Sequence, residues 1–203
     1  RDTDCALHGR DVKAYWADLL ARAARGELRG PEDPSYVLRP SDVINFAKNV
    51  LQGPDWGFLA EQIVLVGGGG APSTAQRTPA LVQDRVGLFC NDFSLPVRDW
   101  AEYAAHIERT SRFAPDTLWG HSTLFTDCLG YPRKIPNPQH PLRVRGVSTP
   151  VLVVNSLHDP GTGYDAATAV ARQLGSAGVL LTYEGWGHGV FPGRSGCVDT
   201  LII

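Results

Sequence analysis

The sequence predicts an α/β fold in which a mostly helical stretch of about two thirds of the chain precedes a small parallel sheet, and three observations carry that prediction. Residues 149–155, Thr149-Pro150-Val151-Leu152-Val153-Val154-Asn155, form the unbroken apolar and β-branched run expected of a strand buried on both faces. Residues 178–183, Gly178-Val179-Leu180-Leu181-Thr182-Tyr183, form a second such run. Between them, residues 164–174 set Ala166, Ala167, Val170, Ala171 and Leu174 at helical spacing, and Gly175 and Gly178 follow as stop signals. Strand, helix and strand with short connections make a right-handed βαβ unit, which requires the two strands to be parallel.

The helical part reads in order. Asp11 precedes Val12, Tyr15, Trp16, Leu19, Leu20 and Ala23, a stripe that Gly26 and Gly30-Pro31 terminate. Ser41 is the expected N-cap of a helix over 42–51, with Val43, Ile44, Phe46, Ala47 and Val50 inward. Gly53-Pro54 breaks it, and residues 56–66 predict another helix. The four glycines at 67–70, followed by Ala71-Pro72-Ser73, read as a surface loop. A phosphate cradle there would need Lys-Ser/Thr after the last glycine, or a preceding strand in a βαβ unit, and neither is evident. Residues 86–90 read as a strand or buried segment, and residues 97–110 as a helix with Trp100, Tyr103, Ala104 and Ile107 on one face. From 111 to 145, Pro115, Pro132, Pro136, Pro138 and Pro141 disfavour regular elements. Trp119, Phe125, Leu129 and Tyr131 need burial, so this region reads as a loop-rich cap. The expected division is therefore 1–145 as a helical cap and 146–203 as the sheet-bearing core.

Composition narrows the function classes. The 203 residues, 43% hydrophobic and 20% charged, suffice for one sizeable core and argue against disorder. A net charge of −2 gives no broad attraction for nucleic acid or anionic membranes. No run approaches the ~18 apolar residues of a membrane span. The chain has no Met, opens at Arg1 without a charged-then-apolar leader and closes on Leu201-Ile202-Ile203, so a piece of a longer protein is expected. The cysteines, Cys5, Cys90, Cys128 and Cys197, form no CxxC pair, and the histidines are not spaced for zinc. Three disulfide connectivities in an oxidising compartment and four free thiols in a cytosolic one both remain open.

Chemistry in a parallel sheet collects at the C-terminal ends of its strands. Asp159 follows the first strand in Ser156-Leu157-His158-Asp159-Pro160-Gly161-Thr162, and His188 follows the second in Gly185-Trp186-Gly187-His188. Neighbouring strands lie ~4.8 Å apart, so loops leaving the same end can bring a carboxylate to an imidazole. An Asp accepting from Nδ1–H fixes the tautomer of a His and stabilises the imidazolium that forms when the His takes a proton. Alone, each residue reads as part of a turn. Together, in the order acid then base, they are the candidate catalytic pair.

The residues from Thr149 onward resemble the C-terminal segment of α/β-hydrolases of the actinobacterial tripeptidyl aminopeptidase family, which are proline-iminopeptidase-like serine hydrolases. The likeness rests on the buried strand, Asp159-Pro160 with Thr162, the helix and second strand, Gly185-x-Gly187-His188, and Ser195-x-Cys197. Asp4-Cys5, Trp56 with Leu59-Ala60, Leu88-Phe89-Cys90-Asn91-Asp92 and the Cys128 region resemble that family's helical lid. The resemblance implies that Asp159 is the triad acid and His188 the general base, under a lid of roughly residues 10–145 that closes over substrate. It implies a Cys90–Cys128 bridge across the lid, in keeping with secretion, and leaves Cys5 to pair with Cys197. Asp92 becomes a candidate for binding a substrate's free amino terminus, with a solvated turn Asp as the alternative, and Trp186 a candidate substrate contact. Gly163 stands where the family commonly has Pro, which loosens the turn after Asp159.

The nucleophile is the larger departure. The expected Gly-x-Ser-x-Gly elbow precedes the acid and the base. Gly193-Arg194-Ser195-Gly196-Cys197 lacks the final glycine and follows His188, and Gly120-His121-Ser122-Thr123-Leu124 also lacks that glycine. The expectation is a partial α/β-hydrolase fold whose first strands, serine and oxyanion hole lie on an N-terminal segment or chain, since a half-sheet alone exposes an unpaired edge. The expected substrate is a peptide or an ester. Triad chemistry calls for no metal, nucleotide or flavin. An esterase or lactonase of the same fold, or a binding module derived from it without catalysis, are the alternatives.

Overall fold

The computed structural model describes residues 3–30, 33–53, 55–68, 90–92, 97–117, 128, 138–142 and 144–203. The chain forms two compact units, Arg1–Ala75 with Pro141–Ile203, and Gln76–His140. The boundary expected at residue 145 is thus displaced, and the first three helices share a unit with the strands. The tie is long-range: the Gln52 carbonyl, at the end of the second helix, accepts a backbone hydrogen bond from the His188 N–H at 2.7 Å that the sequence pattern cannot reveal.

In the first unit, helix α1 (Val12–Ala24) starts at Asp11, whose carboxylate accepts from the Ala14 N–H at 3.0 Å. It ends before Gly26, whose φ of +72° suits glycine alone. Leu19, Leu20 and Ala23 face the interior, as the periodicity predicts. Helix α2 (Pro40–Gln52) begins two residues earlier than Ser41 as N-cap suggests. Pro40 takes the first helical position, where a missing N–H costs nothing, and Asp42 reaches back to accept from the Arg39 N–H at 2.8 Å. Val43, Ile44 and Ala47 are its buried face. Helix α3 (Trp56–Gly67) is capped by Asp55, which accepts from the Phe58 N–H at 2.9 Å. Phe46 and Phe58 meet across α2 and α3 with ring centroids 6.4 Å apart, and Arg22 of α1 donates to the Gly67 carbonyl at 2.6 Å. Gly68 caps α3, and residues 69–73 of the predicted glycine loop lie outside the described residues.

In the second unit, helix α4 (Trp100–Phe113) is capped by Asp99 at 2.9 Å and runs into a single 3-10 turn, Pro115–Thr117. Tyr103 is buried, whereas Trp100, placed on the same face by periodicity, is 75% exposed at the helix start. Of the predicted 86–90 run only Cys90 is described, and it is helical and buried. Cys90 and Cys128 are joined by a disulfide with their Cα atoms 5.4 Å apart. Cys5 and Cys197 are free thiols, which corrects the second pairing. Cys197 is the second residue of the last helix and exposed, so its position follows from that helix and not from a partner cysteine. Trp119, Phe125, Leu129 and Tyr131, and the Ser122 segment, lie outside the described residues.

The sheet belongs to the first unit. Strand β1 (Val151–His158) pairs in parallel with β2 (Gly178–Trp186), with Val151 opposite Gly178 and Ser156 opposite Tyr183. Helix α5 (Tyr164–Leu174) and the turn Gly175–Ala177 connect them, and α5 packs on both strands. The chain is thus α/β. Both strands run further than the apolar runs suggest, to His158 and Trp186. Burial on both faces is reached only at Asn155 and Ser156, while Val151 and Leu152 are exposed. After Ser156 the register shifts, so that two steps along β1 meet three along β2 at the pair His158–Trp186. Gly185 lies in that bulge, where a Cβ would collide with the Tyr183 ring. Helix α6 (Gly196–Ile202) closes the chain, with Ser195 as its N-cap accepting from the Val198 N–H.

Candidate active site

The end of β1 is built to hold a carboxylate. Asn155 and Ser156 are polar residues buried at the strand end, and the side chain of each reaches one of the two loops beyond. The Asn155 amide donates to the Thr162 carbonyl at 3.0 Å and its Oδ1 accepts from the Ser156 N–H at 3.0 Å. The Ser156 hydroxyl donates to the Gly187 carbonyl, tying β1 to the loop that follows β2. Asp159 therefore leaves the strand with its turn already fixed. Its Oδ1 accepts from the N–H groups of Gly161 at 2.6 Å and Thr162 at 2.8 Å, and its Oδ2 accepts from the Thr162 hydroxyl at 2.9 Å.

His188 completes the arrangement. Its Nδ1 lies 3.1 Å from both Asp159 oxygens and 3.4 Å from Thr162 Oγ1. A carboxylate can only accept, so Nδ1 carries the proton and Nε2 the free lone pair. Nε2 makes no hydrogen bond to another described residue. The Asp159 side chain is 1% exposed and that of His188 is 43% exposed. The acid is thus sealed behind the imidazole, which is open to a reactant. Burial by itself raises the Asp159 carboxyl, but the N–H groups of Thr162 and Gly161, the Thr162 hydroxyl and His188 together outweigh it and hold the group below the usual carboxylate range. Asp159 therefore stays ionised wherever the imidazole can act as a base.

Residues 116–203 match the family model described as TAP-like protein. That segment is similar to the TAP-like proteins of the α/β-hydrolases. Carboxylesterase B of Mycobacterium tuberculosis is 33% identical over 118 residues, which is 56% of this chain and 22% of that protein. Serine protease Hip1 of the same species is 31% identical over 121 residues, 58% of this chain and 22% of that protein. A tripeptidyl aminopeptidase of Streptomyces lividans is 22% identical over 217 residues, covering 98% of this chain and 39% of that protein. The chain spans well under half the length of these curated relatives, and all three names are hydrolases.

Within the TAP-like segment, the structure brings Asp159 and His188 together as the strand-end reading expects. Trp186 stacks on His158, with centroids 5.3 Å apart, and meets Trp56 of α3 edge-on at 6.0 Å, forming an exposed aromatic cluster in the same unit. Asp92 is exposed and belongs to the other unit. Ser195 has a capping role, in keeping with its rejection as a nucleophile. Three participants escaped the sequence reading. Gly161 abuts the imidazole so closely that a Cβ would sit 2.8 Å from His188 Nδ1. The Asn155–Ser156 pair had a visible signal, two polar residues ending an apolar strand. Arg194, whose guanidinium reaches Gln52 across 142 positions of sequence, had none. Among the described residues no group of three or more His, Cys, Asp or Glu is placed to hold a metal ion, and no helix is long and apolar enough to cross a membrane.

Proposed function

We propose that this chain supplies the acid, Asp159, and the base, His188, of a Ser-His-Asp triad in a serine hydrolase whose nucleophilic serine lies on an N-terminal segment outside it. The observation that carries this reading is the Nδ1 contact to both Asp159 oxygens, which leaves an exposed Nε2 as the proton acceptor. In the first step Nε2 takes the proton of the serine hydroxyl as its oxygen attacks the substrate carbonyl. In the second the same nitrogen returns that proton to the departing amine or alcohol. Asp159 remains ionised throughout and stabilises the imidazolium.

The serine protease relative supports a peptidase and the tripeptidyl aminopeptidase relative an exopeptidase, for which Trp186 would meet the substrate's side chains. The carboxylesterase relative supports a second reading in which the same pair serves ester hydrolysis. The Cys90–Cys128 disulfide supports a secreted protein.

The test is His188→Ala in the protein that carries the N-terminal segment, assayed on peptide anilides with free amino termini and on short nitrophenyl esters. Turnover of the preferred substrate falls by about 10⁴-fold or more. Turnover within tenfold of wild type on both substrate classes overturns the triad, and the ratio between the classes in the wild type decides peptidase against esterase.

A further inference from the structure

Beyond the Asp159–His188 pair, the loop that presents the imidazole needs its own support. His188 lies between Gly187 at φ +103° and Gly189 at φ +71°, two positions where the backbone has the most freedom to lose. Strand pairing ends at Trp186, and β1 reaches only as far as Gly187, whose N–H donates to the His158 carbonyl at 3.3 Å and whose carbonyl accepts from the Ser156 hydroxyl. From His188 onward the ties come from elsewhere. The His188 N–H donates to the Gln52 carbonyl at 2.7 Å, and the Arg194 guanidinium donates to the carbonyls of Gly189 at 2.9 Å, Gln52 at 3.0 Å and His188 at 3.1 Å.

We propose that Arg194 is a positioning residue for His188, working by clamping the His188 loop to the C-terminal end of helix α2. This inference rests on His188 being the base proposed above. A guanidinium has five donors in a rigid fork and no acceptor, so one side chain can bond three carbonyls that face different ways, and a lysine ammonium cannot match that geometry. One of the three, Gln52, is the last residue of α2, where helix carbonyls lack intrahelical partners and the helix dipole favours a cation. The Gln52 carbonyl receives both the His188 N–H and Arg194, so the helix end, the loop backbone and the guanidinium form a closed ring of bonds. Among the described residues Arg194 makes no ion pair, so its charge serves carbonyls alone. Loss of the clamp frees the backbone that follows the imidazole while leaving Asp159 and the three donors of its own turn intact. The effect falls on orientation, not on substrate binding.

The experiment uses the protein that contains the nucleophile segment, with active sites counted by phosphonylation of the serine. For Arg194→Ala, kcat per titrated site falls about 10- to 100-fold, the scale expected for a misplacement near 1 Å, and KM changes by less than about threefold. Arg194→Lys lies between that variant and the wild type. A merely structural role instead lowers the number of titrated sites and the melting temperature at unchanged kcat per site, which overturns the proposal. If Arg194→Ala does not fold, Arg194→Lys decides: wild-type kcat per site overturns the clamp, and a severalfold loss at an unchanged melting temperature supports it. His188→Ala run alongside separates the two readings. An inactive His188→Ala with a fully active Arg194→Ala removes the clamp and leaves the triad standing, while an active His188→Ala removes both.

Discussion

Asp159 accepts four hydrogen bonds before any substrate arrives, and this decides what its replacement does. In Asp159→Asn the turn can still form, because one amide oxygen accepts from the N–H groups of Gly161 and Thr162. The amide nitrogen then faces His188 Nδ1 as a donor and forces the proton onto Nε2, where it blocks the base. The variant folds, yet kcat drops by roughly 10³- to 10⁴-fold with KM little changed, as steady-state kinetics will show. The same substitution probes stability. The folded carboxyl lies below its ordinary value, so its contribution is complete above the unfolded value of about 3.9 and is lost as the pH falls through the folded value. Denaturant melts over pH 3–8 therefore give a gap between wild type and Asp159→Asn that is level above about pH 5 and closes on the acid side. A gap that widens with acidification overturns the assignment of Asp159 as the ionised, bonded partner.

At the scale of elements, the βαβ unit depends on how closely α5 can approach the first residue of β2. A Cβ on Gly178 would lie 2.7 Å from the Leu174 Cβ and 3.1 Å from the Ala171 carbonyl oxygen. Neither is the end of a flexible side chain. The backbone at Gly178, with φ −99° and ψ +135°, is ordinary for any residue. On conformational entropy alone Gly178→Ala would stabilise by up to about 1 kcal/mol, so the sign of the change isolates the packing. Gly178→Ala is expected to destabilise by about 1–3 kcal/mol in chemical denaturation, and a stabilised variant would show that helix and strand are loosely packed.

The same elements explain what the sequence made legible. Helix α5 lies on the residues its spacing marks, and α1 follows the aspartate at the head of its stripe, whereas α4 starts three residues later than the expected 97–110, where Asp99 caps its first turn. Helix α2 was misplaced at its start, where Pro40 competes with Ser41 and the decision falls to backbone geometry. The contact between Asp159 and His188 was legible because one follows β1 directly and the other follows β2 by two residues, in strands whose direction the crossover helix dictates. Gly161, Arg194 and the Cys5 and Cys197 thiols were not. Their roles rest on what lies across the fold, and nothing near them in the chain records it.

For the whole molecule, covalent bonding and folding units coincide: the disulfide has both cysteines inside the Gln76–His140 unit, and the unit formed by Arg1–Ala75 and Pro141–Ile203 has only the free thiols. A bridge spanning 38 positions removes conformational freedom from the unfolded form of its own loop, worth about 4 kcal/mol by chain entropy. It does nothing for a unit whose chain it does not close. Cys90→Ser with Cys128→Ser therefore lowers the stability of the 76–140 unit by about 3–4 kcal/mol, read as faster amide exchange in α4, while exchange in β1, β2 and α5 is unchanged. Cys5→Ser with Cys197→Ser shifts neither by more than about 0.5 kcal/mol, and a thiol assay on the native protein counts two reactive groups per chain. Equal loss of protection in both units after removal of Cys90 and Cys128 would mean that the chain unfolds as one cooperative body and that the two units have no separate stability.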